Sequence, residues 1–183
     1  MAETGWSESF DKLEKALIAS ETVFTVNRAE QEIVMQRVFD APRALVFKAF
    51  TDPTMIPRWW GPKYLSTTVE KMEVRPGGRW RFIQRGKAGE EFAFNGIYRE
   101  VERPSHLVYT FEFEGTPGHV VIETVTFEEH NGKTTLTSTA LFETVDDLDG
   151  MMKAGMESGA LESMERFAEH LADQTPHRRP HRL

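Results

Sequence analysis

The chain has 183 residues, of which 39% are hydrophobic and 28% charged, and its formal net charge is −7. This composition is typical of one globular domain with short extensions. The negative charge leaves no basic stripe to neutralise phosphates, which argues against nucleic acid and anionic membrane surfaces as partners. The absence of cysteine excludes disulfides, thiolate metal sites and a cysteine nucleophile.

The first 30 residues are predicted to be an extension that contains an amphipathic helix over residues 7–20. Its apolar face could mediate a homodimer, and it contains Trp6, Phe10, Leu13 and Leu17. The segment is acidic where a signal peptide would be basic and apolar. No apolar run approaches the ~20 residues that cross a bilayer, so we expect a cytoplasmic protein without membrane insertion.

Two strands, over residues 22–27 and 32–39, are predicted before the first helix. The helix is expected over residues 42–50, because proline is favoured at the first helical position and Asp40 can cap the start. It should end before Pro53, since a residue that precedes proline avoids helical angles.

Two adjacent tryptophans, Trp59 and Trp60, lie between Pro57 and the dipeptide Gly61-Pro62. This arrangement predicts an ordered loop stiffened by proline, whose indoles cover one end of the core. One indole is expected to plug the core and the other to border a pocket. The pattern does not distinguish which does which.

From Ser66 to Phe142 the chain alternates between strand patterns and turn signals, and Asn131-Gly132 is a strong hairpin signal. Successive hairpins indicate an antiparallel sheet with one apolar face. The aromatic residues expected on that face are Trp80, Phe82, Phe94, Tyr98, Tyr109, Phe111 and Phe113.

Residues 145–172 carry apolar side chains at steps of three and four, which predicts one amphipathic helix of 28 residues. Gly155 and Gly159 lie one turn apart within it, and each glycine in a helix interior costs ~1 kcal/mol relative to alanine. Met152 and Met156 adjoin them, and methionine adapts to irregular contacts. The helix is either a plain core helix or the floor of an apolar cavity, and the aromatic strands favour the cavity.

A set of motifs occurs in an order that resembles the activator of heat-shock protein 90 ATPase homologue-like family, within the SRPBCC (START-like) superfamily. The motifs cover residues 39–42, 51–53, 58–62, 75–80, 96–101 and 155–159. The resemblance implies an α+β helix-grip fold, in which a curved antiparallel sheet of about six to seven strands surrounds a long C-terminal helix over an apolar cavity. It also implies a START-like ligand-binding domain at residues 31–172, between the extension at 1–30 and a disordered basic tail at 173–183.

Catalytic and metal-binding motifs are missing from the sequence pattern. The six histidines have no metal-ligand spacing, and no serine has a nucleophile-elbow context. Gln84, Glu123 and Glu157 are the candidate polar residues of a cavity. Glu123 shares the alternation of the inward strand residues, but we interpret it as lying at the water-exposed rim of the sheet. We therefore predict no catalytic residue, no metal and no cofactor.

The leading functional prediction is a binding protein for a small hydrophobic molecule, and enzymatic activity is not expected. The predicted ligand-binding residues are Trp59, Trp60, Trp80, Phe82, Phe94, Tyr98, Tyr109, Phe111, Phe113, Met152, Gly155, Met156 and Gly159. One alternative is an interaction module that acts on a chaperone ATPase. The other is a cyclase- or hydrolase-type enzyme that uses a cavity carboxylate.

Overall fold

The computed structural model describes residues 21–174, so the predicted N-terminal helix and basic tail lie outside the described residues. The strands are β1 (Val23–Asn27), β2 (Glu32–Phe39), β3 (Ser66–Met72), β4 (Arg79–Arg85), β5 (Glu91–Glu102), β6 (His106–Phe113), β7 (Val120–His130) and β8 (Lys133–Leu141). The helices are α1 (Arg43–Thr51), α2 (Ile56–Trp59), α3 (Val145–Lys153) and α4 (Met156–Gln174). None of these helices is long and apolar enough to cross a membrane.

The strands form one antiparallel sheet in the order β1-β2-β8-β7-β6-β5-β4-β3. Helices α1 and α2 carry the chain from β2 to the opposite edge, where β3 begins. The sheet has eight strands rather than six or seven because β1 pairs with β2 along its whole length, from Val23 opposite Gln36 to Asn27 opposite Glu32. The α+β helix-grip architecture predicted from the sequence is confirmed.

The main core lies where α1, α2 and the C-terminal half of α4 cover the apolar face of the sheet. The buried residues include Phe167 and Leu171 of α4 and, from β7 and β8, Val121, Val125, Phe127, Leu136 and Ala140. The ring of Phe167 lies 4.4 Å from that of Trp59 and 5.0 Å from that of Phe39. These edge and tilted ring contacts attach α4 to the sheet and to α2.

The first helix begins one residue later than expected and has no side-chain cap. Pro42 is the N-cap, and α1 runs from Arg43. The backbone N–H of Arg43 donates to Glu129 Oε1 at 2.7 Å. The Glu129 carboxylate on β7 therefore accepts the hydrogen bond of a free N–H at the start of α1. The prediction that Asp40 caps this helix is wrong.

The predicted 28-residue helix is in fact two helices. Thr144 caps α3 by accepting a hydrogen bond from the N–H of Asp147 at 3.1 Å. The chain leaves helical geometry at Gly155, whose φ is +90°, and α4 starts at Met156. The left-handed region is open to glycine without steric cost. The apolar spacing continues across the break, so periodicity alone could not reveal it.

The two glycines near this break should respond oppositely to alanine. Gly155→Ala should lower the free energy of unfolding by about 1–3 kcal/mol, because alanine is strained at this φ. Gly159→Ala should raise it by about 0.5–1 kcal/mol, since Gly159 lies within α4 and an added Cβ meets nothing within 4 Å. Urea denaturation of the two variants and the native protein measures both changes. Equal effects of the two substitutions would contradict the break at Gly155.

Candidate functional site

A cavity of about 550 Å³ lies between the concave face of the sheet and the helices α3 and α4. All eight strands contribute side chains to it, and so does the loop of residues 60–65 between α2 and β3, which we call the tryptophan loop. Tyr64 on the loop side is 71% exposed, and Ala154 and Gly155 on the helix side are also exposed. These three lining residues mark where the cavity opens to solvent.

The cavity exists because α4 packs tightly at only one end. Its buried residues are Met164 near the middle of the helix and Phe167, His170 and Leu171 in the C-terminal half. The N-terminal half presents the small residues Gly159 and Ala160 to the cavity. A helix anchored at one end and lined by small side chains at the other leaves space above the sheet.

The aromatic wall depends on a close backbone approach at Gly96. A Cβ at this position would lie 2.4 Å from Trp80 Nε1 and 1.8 Å from the carbonyl oxygen of Thr110. The Trp80 indole N–H donates to that carbonyl at 3.1 Å. The Trp80 ring then lies 4.8 Å from Phe82 and 5.8 Å from Phe111. Glycine at 96 thus lets the largest side chain of the wall lie across β5.

The two tryptophans have different roles, and the predicted loop begins only at Trp60, because Trp59 is the last residue of α2. Trp59 is 2% exposed and donates its indole N–H to the carbonyl of Ala49 at 3.1 Å, so it is mainly a core residue that borders the cavity. Trp60 is half-buried, and its ring makes edge contacts at 5.2 Å with both Phe82 and Phe94. Of the two roles expected from the sequence, Trp59 therefore plugs the core and Trp60 borders the pocket.

Polar bonds tie this loop to α4. Arg166 Nη1 donates to the carbonyl of Gly61 at 2.6 Å, and the N–H of Gly61 donates to Ser163 Oγ at 2.9 Å. The N–H of Lys63 donates to Glu162 Oε1 at 2.8 Å. These bonds fix the loop side of the opening against the helix. Sequence reasoning missed them because side chains on the polar face of a helix give no periodic signal for a distant loop.

The polar residues of the cavity are few. Gln84 is buried, lines the cavity and donates to Thr67 Oγ1 at 3.4 Å. Glu123 also lines the cavity, and its carboxylate accepts a hydrogen bond from the Ser138 hydroxyl at 3.0 Å. The interpretation of Glu123 as a solvated rim residue is therefore wrong. Glu157 is exposed on the outside of α4.

Burial raises the pKa of the Glu123 carboxyl from 4.5 to about 7, and the Ser138 hydrogen bond opposes this shift. The side chain keeps some accessible surface, but that surface faces the cavity. An apolar cavity wall replaces bulk water around the carboxylate, so the charged form is disfavoured. A carboxyl that titrates near neutral pH inside a cavity can bind a cation, accept a hydrogen bond or exchange a proton.

The structure brings the predicted site residues together, with one exception. Met152 does not line the cavity but packs against a second buried cluster that contains Phe142 and Leu148. The other twelve predicted residues all lie on the cavity wall. Sequence reasoning missed Phe24, Met35, Tyr64, Phe92 and Ser138, which also line it. The alternation of β2 could have indicated Met35, whereas Phe24 required the register that places it opposite Met35.

Within residues 21–174, no three His, Cys, Asp or Glu side chains come together in an arrangement that could hold a metal ion.

Glu123→Gln should change how stability depends on pH. The pKa of Glu123 is 4.5 in the unfolded state and about 7 in the folded state. At pH values between these two, the folded state binds more protons than the unfolded state. The contribution of Glu123 to the free energy of unfolding is therefore complete below pH 4.5 and falls as pH rises through 7. The shift corresponds to roughly 3 kcal/mol. Urea denaturation at about pH 5 and about pH 8 measures this difference, which neutral Gln should remove.

The matched control is Glu128→Gln, because Glu128 is exposed on the same strand. This variant should retain the pH dependence of the native protein. His170, whose pKa burial lowers, contributes in the opposite direction but is common to all three proteins and cancels in the comparison. Identical pH dependence in the native protein and in Glu123→Gln would contradict the buried position of the carboxyl.

Comparison with known proteins places this fold among solved structures. A protein from Arthrobacter aurescens is 25% identical, with a TM-score of 0.78 over 87% of this chain and 98% of that one. A protein from Mycobacterium smegmatis is 23% identical, with a TM-score of 0.76 over 86% and 99%. The AHSA1 protein from Silicibacter pomeroyi is 19% identical, with a TM-score of 0.65 over 79% and 99%. No curated protein matches.

The family model described as "Activator of Hsp90 ATPase homolog 1-like protein" matches residues 40–172. This range contains the helices α1–α3, the strands β3–β8 and all but the last two residues of α4. It therefore includes most of the cavity wall. The chain belongs to the activator of Hsp90 ATPase homolog 1-like family, as its sequence motifs predicted.

Proposed function

We propose that the protein binds a small hydrophobic molecule in the cavity between the sheet and α4. The observation that carries this proposal is an unfilled volume of about 550 Å³ whose wall is mainly aromatic and aliphatic. Small-molecule sites are typically apolar clefts of about 300–1,000 Å³ with a few polar groups. The helix-grip fold is consistent with such a role.

Several aromatic rings of the wall face the open volume. A side chain beside a void loses dispersion contacts on that side. Trp60, Phe94 and Phe111 each remain only partly buried although they lie deep in the fold. A ligand of matching shape would complete their contacts and remove apolar area from water at about 25 cal/mol per Å².

The proposed binding residues are the predicted set without Met152, together with Phe24, Met35, Phe92 and Met151. The opening beside Tyr64 and Gly155 provides the route of entry. Chaperone interaction, homodimer formation and a cytoplasmic location stay predictions.

Acid–base chemistry is a second candidate function, and the titration of Glu123 near neutral pH favours it. A carboxyl with a pKa near the working pH is suited to donate or accept a proton. Any reaction found for a cavity ligand should then show a pH–rate profile that titrates near 7. Loss of the reaction in Glu123→Gln, with ligand affinity retained, would distinguish catalysis from binding.

Larger side chains in the cavity should weaken ligand binding. Ala160 lines the cavity from α4, so Ala160→Leu and Ala160→Phe should weaken binding in a graded manner. We expect roughly tenfold weaker binding for the larger side chain, because a Phe occupies volume that the ligand needs. The probe is N-phenylnaphthylamine, an uncharged fluorophore whose emission rises in apolar sites, and titration gives its dissociation constant.

Ala172→Phe is the matched control, because Ala172 is exposed near the other end of the same helix. It should bind the probe as the native protein does, and circular dichroism should show the same fold in all variants. Equal probe affinity in the native protein and in Ala160→Phe would show that the probe binds elsewhere. Absence of probe binding to the native protein would contradict the proposed function.

A further inference from the structure

A row of polar side chains crosses the otherwise apolar wall of the cavity. Tyr98 on β5 pairs with Tyr109 on β6, and Tyr109 pairs with Glu123 on β7. Residues directly opposite in a sheet share one face, and all three line the cavity. Ser138 on β8 completes the row through its hydrogen bond to Glu123. We refer to these four residues as the polar row.

The charge in this row has no counterpart in the cavity. Among the lining residues within 21–174, Glu123 is the single carboxylate, and none is Lys, Arg or His. Ser138 is the only hydrogen-bond partner of the carboxyl within the described part of the chain. Burying a carboxylate without a cation is strongly unfavourable, so the ionised form of Glu123 requires a positive charge that the lining residues do not provide.

The tyrosines cannot provide it. Burial raises the pKa of Tyr109, and the neighbouring Glu123 raises it further. Burial also raises the pKa of Tyr98. Both phenols therefore stay neutral at physiological pH, and Glu123 is the group of the polar row that changes charge near neutrality.

Three kinds of ligand head group can be compared at this position. A carboxylate or phosphate would face an acid with no cation on the wall, which costs free energy through repulsion and desolvation. A hydroxyl could donate one neutral hydrogen bond. A protonated amine would form a charge-assisted hydrogen bond, which is about twice as strong as a neutral one, and it would also neutralise the carboxylate.

We propose that the cavity selects a hydrophobic amine, whose ammonium group binds the Glu123 carboxylate while its apolar body contacts the aromatic wall. This inference rests on the proposed function and specifies the class of ligand. The rings beside the polar row support it, since Trp80 lies 6.1 Å from Tyr109 and 5.8 Å from Phe111. Aromatic faces attract cations, and more strongly when water is excluded.

The test uses three compounds with the same naphthyl body and different head groups: naphthylethylamine, naphthylethanol and naphthylacetic acid. Each displaces N-phenylnaphthylamine from the native protein and from Glu123→Gln at neutral pH. The native protein should bind the amine at least tenfold more tightly than the alcohol, and the acid most weakly. In Glu123→Gln the amine should lose this preference, while the affinity for the alcohol changes by less than about threefold.

Glu157→Gln is the control, because Glu157 is exposed at the start of α4 and does not line the cavity. It should keep the amine preference of the native protein. If a nonspecific negative field attracts the amine, Glu157→Gln and Glu123→Gln will reduce the preference equally, and the proposal fails. It also fails if the native protein binds all three compounds alike.

A second arm uses the native protein alone and does not depend on any variant. Amine affinity should fall by about tenfold per pH unit below the Glu123 pKa of about 7, because protonation of the carboxyl removes the ion pair. Alcohol affinity should stay nearly constant over the same range. A pH-independent amine affinity would overturn the inference while leaving hydrophobic ligand binding intact. Failure of the native protein to bind any naphthyl compound would overturn both.

Discussion

The packing of Phe167 is the contact on which the rest of the structure depends. Its ring is fully buried and meets Phe39 from the sheet, Phe50 from α1 and Trp59 from α2. One side chain therefore joins three elements to α4. Since α4 is held at this end, its N-terminal half spans the sheet without filling the space beneath it. The cavity follows from where the helix is anchored.

The same anchor explains why the opening has two different sides. The tryptophan loop follows α2 directly and is bonded to α4 through Ser163 and Arg166. The other side is the joint at Gly155, where the backbone is left-handed and an added Cβ would meet no atom within 4 Å. The loop side is thus fixed by hydrogen bonds and ring contacts, whereas the helix side is formed by a glycine joint between α3 and α4.

The sequence predicted the sheet and the aromatic wall because both depend on alternation, which is a local property. Trp80, Phe82 and Phe94 could be assigned to one face from their spacing alone. The helix break at Gly155 and the hydrogen bond from the start of α1 to Glu129 could not be predicted in this way. The first leaves the apolar period intact, and the second joins residues 86 positions apart. Glu123 follows the inward alternation, but the cost of burying a carboxylate favours the rim interpretation when the sequence is considered alone. The structure shows that the alternation is the better guide.

Under the proposed function, this cost lets a single residue dominate the ligand preference of the cavity. Each buried methylene contributes about 0.8 kcal/mol to the free energy of binding. Many different apolar molecules could pack equally well against a wall of flexible and planar side chains. A desolvated carboxylate differs by several kcal/mol between a cationic and an anionic neighbour. In the proposed complex the shape of the cavity sets the size of the ligand, and the uncompensated charge on Glu123 sets its polarity.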